Sequence, residues 1–240
     1  MTWRLRAACL EACGVPHGFY SARDASGLTL DGAGDRQGAL DVVAADLQLP
    51  ATSICLAKQV HSHRVVVVDE TVQPEAVAIW EADALITGVR GRAVGVLTAD
   101  CLPVLVAAPD VGWVGAVHAG RRGALAEIVS ATMAALLEQG ASRSALRFAL
   151  GPHIRAASYE VGEELFETLP QAAQYRAEDG RFCCDLHALV CHELRAFGVS
   201  PAQVETCAPD TWSSEMWHSY RRDGLAAGRQ LSVIAPAARA

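Results

Sequence analysis

Ala93-Val94-Gly95-Val96-Leu97-Thr98-Ala99-Asp100-Cys101-Leu102-Pro103-Val104-Leu105-Val106-Ala107-Ala108-Pro109-Asp110-Val111-Gly112-Trp113-Val114-Gly115-Ala116-Val117-His118-Ala119-Gly120 is the most apolar stretch of the chain. Its runs Ala93 to Thr98, Leu102 to Ala107 and Gly112 to His118 read as strands, the last two joined by a Pro109-Asp110 turn. Asp100, Pro103, Pro109 and Asp110 interrupt it, so no stretch of about 18 apolar residues exists to cross a bilayer. The stretch is a buried sheet.

Upstream, Ile54 to Val60 and Val65 to Val68 read as strands, with Gln59-Val60-His61-Ser62-His63 at their junction, and Ala84 to Thr87 is a further short strand. Downstream, Ala119-Gly120-Arg121-Arg122-Gly123 turns into a predicted helix with Leu125, Ile128, Val129, Thr132, Met133 and Leu136 on one face and Gly140 as its stop. Leu146 to Leu150 is expected as a strand, Tyr159 to Leu169 as a helix, and Asp185 to Phe197 as a helix capped by Asp185. Val204 to Cys207 and Leu231 to Ile234 return to the sheet. The N-terminal part carries little signal; Asp24 to Gly38 reads as turns or a surface loop. Strands and helices mix without strict alternation and without internal repeats. The predicted class is α+β: one domain over residues 1–240, with mixed β-sheet layers packed with α-helices in an αβα-like sandwich.

The chain has 240 residues with 20 basic and 27 acidic side chains, a net charge of −7, which excludes a charge-driven nucleic-acid binder. A chain of this length buries enough surface to fold without disulfides or metal, so a metal site implies function. Arg4, Arg6 and Glu11 interrupt Met1 to Cys13 too early for a secretory signal, and a cytoplasmic location is expected, with the eight cysteines as thiols. Dinucleotide-binding, P-loop, zincin and α/β-hydrolase motifs are absent. Lys58 is the single lysine, which leaves one candidate for Schiff-base chemistry.

His61, Cys101 and His118 stand at or beside strand ends. Two imidazoles and a thiolate make a catalytic zinc set with a fourth position open for water, whose pKa zinc lowers to about 7. Separations of 40 and 17 residues do not diagnose a site, and a buried Cys usually packs as a small hydrophobe. Cys184, His187, Cys191 and His192 compete as a helical constellation, although Leu186, Leu189, Val190 and Leu194 share that helix and favour packing.

The blocks Gln59-Val60-His61, Ala82-Asp83-Ala84-Leu85-Ile86-Thr87, Thr98-Ala99-Asp100-Cys101-Leu102-Pro103-Val104-Leu105, His118-Ala119-Gly120-Arg121-Arg122-Gly123, Gly151-Pro152-His153-Ile154 with Tyr159-Glu160-Val161-Gly162, and Ser219-Tyr220-Arg221-Arg222-Asp223-Gly224 resemble the laccase-domain family in order, over about three quarters of the chain. His17-Gly18-Phe19 is similar to the family's opening. The family, first called multicopper polyphenol oxidase, is regarded as purine nucleoside phosphorylase and adenosine deaminase. The resemblance implies His61, Cys101 and His118 as metal ligands and catalytic centre, zinc as cofactor with copper as the alternative, and purine nucleoside and phosphate as small-molecule partners of a monomer or homodimer. Two departures point to a divergent substrate: Arg121 replaces the family's usual Trp, and Val42-Val43 stand near where an Asn-Arg pair is expected. Phenol oxidation at several coppers, cell-wall precursor editing and a catalytically divergent metal-binding paralogue are the alternatives. Eight dispersed histidines argue against the first.

Around that centre, Asp83 is expected to orient a ligand imidazole or shuttle a proton, its alternative being a turn cap. Strand alternation sends Asp100 to the face opposite Cys101 unless a bulge intervenes. Arg122 and Gly123, before a helix N-terminus, are candidates to hold phosphate. Tyr159 and His153 are candidates for stacking on or hydrogen-bonding the base, against a core role. Arg221 and Arg222 read as surface residues with a possible part in anion binding.

Overall fold

Every residue of Leu102–Ala108 is buried, a continuous apolar run that requires the strand to be covered on both faces. A computed structural model of the chain describes residues 4–21 and 36–238. Its strands are β1 Arg4–Leu5, β2 His17–Tyr20, β3 Ile54–Leu56, β4 Val65–Val67, β5 Ala84–Thr87, β6 Ala93–Thr98, β7 Leu102–Ala108, β8 Trp113–Ala119, β9 Arg147–Leu150, β10 Gln174–Arg176, β11 Phe182–Cys184, β12 Val204–Thr206 and β13 Gln230–Ile234. The helices are α1 Ala8–Glu11, α2 Arg36–Asp46, α3 Pro74–Val77, α4 Arg121–Leu125, α5 Ile128–Glu138, α6 Glu163–Thr168, α7 Leu186–Ala196 and α8 Tyr220–Asp223.

Two mixed sheets stack face to face. One runs β1-β2-β13-β6-β3, the other β12-β9-β7-β8-β5-β4. Between them Phe19, Val94, Val96 and Ile234 meet Leu105, Ala107, Val114 and Ala116. The alternate residues Val104 and Val106 face outward onto Ile128, Met133 and Leu136 of α5 and Leu189, Val190 and Leu194 of α7. On the far side, Val43 and Ala44 of α2, with Leu47 just after it, cover Tyr20, Leu231 and Val233. The α+β class and its helix-covered mixed sheets are as predicted, and the β layer is double. Gly151, just beyond β9, leaves no room for a side chain: a Cβ there would sit 2.3 Å from the Phe19 ring.

Several element boundaries differ from the sequence expectation. The helix predicted after Gly123 starts at Arg121 and breaks at Glu127, whose left-handed φ of 61° separates α4 from α5. Residues Tyr159 to Leu169 form a helix only over Glu163–Thr168, because the Tyr159 carbonyl and Val161 N–H pair with the backbone of β11. The strand expected to reach Val60 ends at Leu56; beyond it the Gln59 side chain exchanges hydrogen bonds with the Leu97 backbone, at 2.7 and 2.8 Å. The N-terminal residues that carried little signal supply β1, β2 and α2. The turn-rich reading of Asp24 to Gly38 falls largely outside the described residues.

The N-terminus of α5 is capped from another helix. Glu127 gives it no side-chain cap, and the Glu193 carboxylate of α7 accepts from Ser130 N at 2.5 Å. Glu193 is buried, and its second oxygen has no hydrogen-bond partner among the described residues. Burial raises its carboxyl to about 7, opposed by the bond from Ser130 and reinforced by the Glu127 charge. The folded chain therefore keeps a proton that the unfolded chain releases above about 4.5, and stability falls as pH rises from there through about 7. We predict that Glu193→Gln, which keeps the acceptor, raises stability at pH 8 by about 2 to 3 kcal/mol and leaves it unchanged at pH 4. Thermal midpoints measured at the two pH values check this, and equal shifts at both would refute it.

Candidate metal centre

β6 and β7 belong to different sheets, so the chain changes sheet across Ala99-Asp100-Cys101. Asp100 makes the step with a left-handed φ of 82°, a region that Asp tolerates better than most residues. Its carboxylate accepts from Thr211 Oγ1 at 2.7 Å and Arg221 N at 2.6 Å, and its carbonyl accepts from Ile154 N at 3.0 Å. Cys101 follows directly. His118, near the end of β8, lies across the hairpin from Pro103, and its N–H donates to the Asp83 carbonyl at 2.7 Å, away from the proline. Pro103 is thus accommodated inside the sheet.

His61 is positioned by a loop wrapped around one carboxylate. Asp83 is buried and accepts from the backbone N–H groups of Val60 (3.2 Å), His61 (2.9 Å) and Ser62 (2.6 Å) and from Ser62 Oγ (2.7 Å). His118 Nδ1 donates to the same carboxylate at 2.8 Å. That bond sets the imidazole so that Nε2 is left for a ligand. His61 takes a left-handed φ of 60°. Burial opposes ionisation of Asp83, but the hydrogen bonds from His118 and Ser62 outweigh it and hold the carboxyl well below the usual range.

The ligand atoms of His61, Cys101 and His118 lie within 4.8 Å of one another, the only such group of three among the described residues. Cys101 Sγ is 3.7 Å from His61 Nε2, and the two imidazoles meet edge to face with centroids 4.8 Å apart. Donors bonded at about 2.0 to 2.3 Å around a tetrahedral ion lie roughly 3.3 to 3.8 Å apart, a spacing that the Cys101–His61 pair already meets. Burial disfavours the Cys101 thiolate, yet the charge of His118 and hydrogen bonds from both histidines bring it down to about 6. Burial also opposes charge on His118, and the Cys101 thiolate and Asp83 raise it to about 9. A thiolate held ready beside two imidazoles, one oriented by a carboxylate, fits a metal ion. Gly120 completes the fit: a Cβ there would come within 2.8 Å of His61 Cδ2 and 3.0 Å of Cys101 Sγ.

The three side chains line a cavity of about 620 Å³, which Tyr159, Ile154, Leu97 and Arg221 also line. Arg122 is exposed and Gly123 is packed against the Ser62 carbonyl; neither lines this cavity. Arg121 is half-buried, and its charge acts on Tyr159. His153 is fully buried off the cavity, its Nδ1 on the Gly151 carbonyl at 2.9 Å, and burial pushes it down to about 4. It stacks on His187 at 6.0 Å. Cys191 lies 3.7 Å from His187 Nε2, but Cys184, His187, Cys191 and His192 form no three-ligand group among the described residues. Sequence reasoning missed Asp100 as an anchor, although strand alternation had separated its side chain from that of Cys101.

The family model for multi-copper polyphenol oxidoreductase laccase matches residues 7–237. A purine nucleoside phosphorylase of Deinococcus radiodurans is 33% identical over 240 residues, covering 92% of this chain and 88% of its own. Adenosine deaminase RL5, from an unknown prokaryotic organism, is 32% identical over 247 residues, covering 94% and 93%. The crystal structure of YlmD from Geobacillus stearothermophilus shares the fold, with a TM-score of 0.83 and 24% identity over 98% of this chain and 96% of its own. No helix among the described residues is long and apolar enough to cross a membrane.

We predict that Asp83→Asn, which turns an N–H group toward one of the donors now facing the carboxylate, weakens metal binding by roughly 10- to 100-fold. Chelator competition measures this, and an unchanged affinity would show that His118 needs no such orientation. Gly120→Ala is predicted to lower metal content with little change in the thermal midpoint, since its clash falls on the ligands; a full metal complement by mass spectrometry would contradict this.

Proposed function

The chain belongs to the multi-copper polyphenol oxidoreductase laccase family, and on that footing we propose that it is a zinc-dependent enzyme of purine nucleosides, acting by phosphorolysis, by adenosine deamination, or by both. The observation that carries this reading is the convergence of His61, Cys101 and His118 on one wall of a cavity large enough for a nucleoside. The relatives named purine nucleoside phosphorylase and adenosine deaminase support it. A thiolate and two imidazoles suit zinc, and a single three-donor cluster among the described residues suits one ion better than the several a multicopper oxidase needs.

Zinc at these residues would supply a Lewis acid with an open position, where water ionises with a pKa of about 7. The chain's own residues do the rest. Leu97, Ile154 and Leu186 give the cavity apolar walls that exclude water from the reacting bond. Tyr159 is placed to contact the nucleoside. Asp83, with its oxygens engaged by five donors, orients His118 and the His61 loop and is not free to shuttle protons. In phosphorolysis the C1′–N bond to the base breaks, a C1′–O bond to phosphate forms, and the base leaves with a proton on nitrogen. In deamination water adds at C6 and ammonia leaves. We assign the enzyme to the cytoplasm as one domain over residues 1–240, in keeping with its eight free cysteines.

Metal analysis of the purified protein, with a nucleoside panel run with and without phosphate and resolved by chromatography, tests the reading. Zinc with phosphate-dependent base release, or zinc with inosine formed from adenosine, is the expected result; copper with phenol oxidation would overturn it. Cys101→Ala is predicted to abolish metal binding and turnover while the fold persists, because the core lies elsewhere. Undiminished turnover would remove Cys101 from the site.

A further inference from the structure

Arg221 and Arg222 are neighbours with opposite employment. Arg222 serves the fold: its guanidinium donates to the carbonyls of Thr211, Trp212, Ser214 and Trp217 and pairs with the Asp223 carboxylate. Arg221 lines the cavity that holds the metal ligands. Its Nη1 donates to the Glu160 carbonyl at 2.8 Å, and its guanidinium lies 5.1 Å from the Tyr159 ring centroid. Among the described residues its Nε and Nη2 have no hydrogen-bond partner. A cation seated on an aromatic face, with donors left over and open to a concave site, is built to receive an oxyanion.

The backbone behind it is fixed. Asp100 accepts the Arg221 N–H at 2.6 Å and Thr211 Oγ1 at 2.7 Å, and it immediately precedes the ligand Cys101. One residue therefore ties the start of α8 to the metal loop. Lys58 and Arg229 also line the cavity, and Asp100, the one acidic side chain on its wall, has both oxygens engaged. Lys58 is paired with Glu81 at 2.7 Å, which leaves Arg221 and Arg229 as the unneutralised cations.

We propose that Arg221 is the oxyanion-binding residue of this cavity, taking a phosphoryl group either free or esterified, and that Asp100 is the positioning residue that sets it. The phosphorolytic role of the site rests on the purine nucleoside reading, whereas the oxyanion site stands on geometry.

Calorimetric titration of the full-length, zinc-loaded protein with inorganic phosphate, and separately with adenosine 5′-monophosphate, tests the proposal. The wild type is expected to bind at least one of them, and Arg221→Ala to weaken that binding by about 10- to 100-fold at unchanged zinc content. Arg221→Lys, with charge but no planar fork, is expected to recover part of the loss, and Arg90→Ala, at an exposed site outside the cavity, none of it to lose. Binding of phosphate alone or of the monophosphate alone identifies the source of the oxyanion. Asp100→Asn is expected to weaken binding less than Arg221→Ala does, and the double variant to be no weaker than Arg221→Ala, since Asp100 acts through Arg221. A wild type that binds neither ligand, or an Arg221→Ala variant that binds like wild type, overturns the proposal; additive losses overturn the role of Asp100. Should Asp100→Asn lose its fold, the two Arg221 variants decide alone. Phosphate bound through Arg221 without any phosphorolysis would sink the phosphorolytic reading and leave the oxyanion site standing. Phosphorolysis whose phosphate KM ignores Arg221→Ala would do the reverse.

Discussion

The carboxylate of Asp83 is the constraint on which the candidate site depends. It is buried beside His118 and gathers three consecutive backbone N–H groups, a hydroxyl and an imidazole N–H. A buried carboxylate without such partners costs several kcal/mol; with them it becomes a rigid hub. The loop that carries His61 cannot turn over without leaving that charge unsatisfied, and His118 cannot flip without losing its acceptor. Two of the three candidate ligands are thereby locked by a residue outside the group of donors.

Cys101 is held by a different device. The strands on either side of it belong to opposed sheets, so the short link between them has to turn sharply, and Asp100 absorbs the turn in a left-handed conformation stabilised by Thr211, Arg221 and Ile154. The bend that joins the two sheets also presents the thiol. The cleft between fold layers and the ligand-bearing loop are one feature, which is why the cavity opens where the sheets exchange the chain.

Much of this was legible in the sequence, for identifiable reasons. The hairpin of β7 and β8 announces itself through apolar runs around a Pro-Asp turn, and the candidate ligand types at strand ends are visible once the strands are placed. The doubling of the β layer was not legible, because β2 and β13 lie far apart in sequence and pair only in three dimensions. Nor was the break at Glu127: local periodicity runs straight through it, and the group that caps α5 comes from Glu193 on a distant helix. Arg221 and Arg222 look alike in the chain; only the carbonyls gathered around one, and the aromatic face beneath the other, separate them.

The place of β13 has a consequence for the order in which the protein is made. β6, which leads into the Cys101 loop, lies between β3 and β13, and β13 is formed by residues 230–234. A chain emerging from the ribosome can close the β7–β8 hairpin early, since that pairing is local. β6 must wait for its antiparallel neighbour until residues 230–234 have been made, and so must β2, which pairs with the same strand. During that interval one sheet lacks its central strand, and β2 and β6 each present an unpaired edge. Such non-local closure is slow and leaves strand edges open to misassembly. Cys101 thus stands at the junction between a sheet whose β7–β8 hairpin closes locally and a sheet whose closure awaits β13.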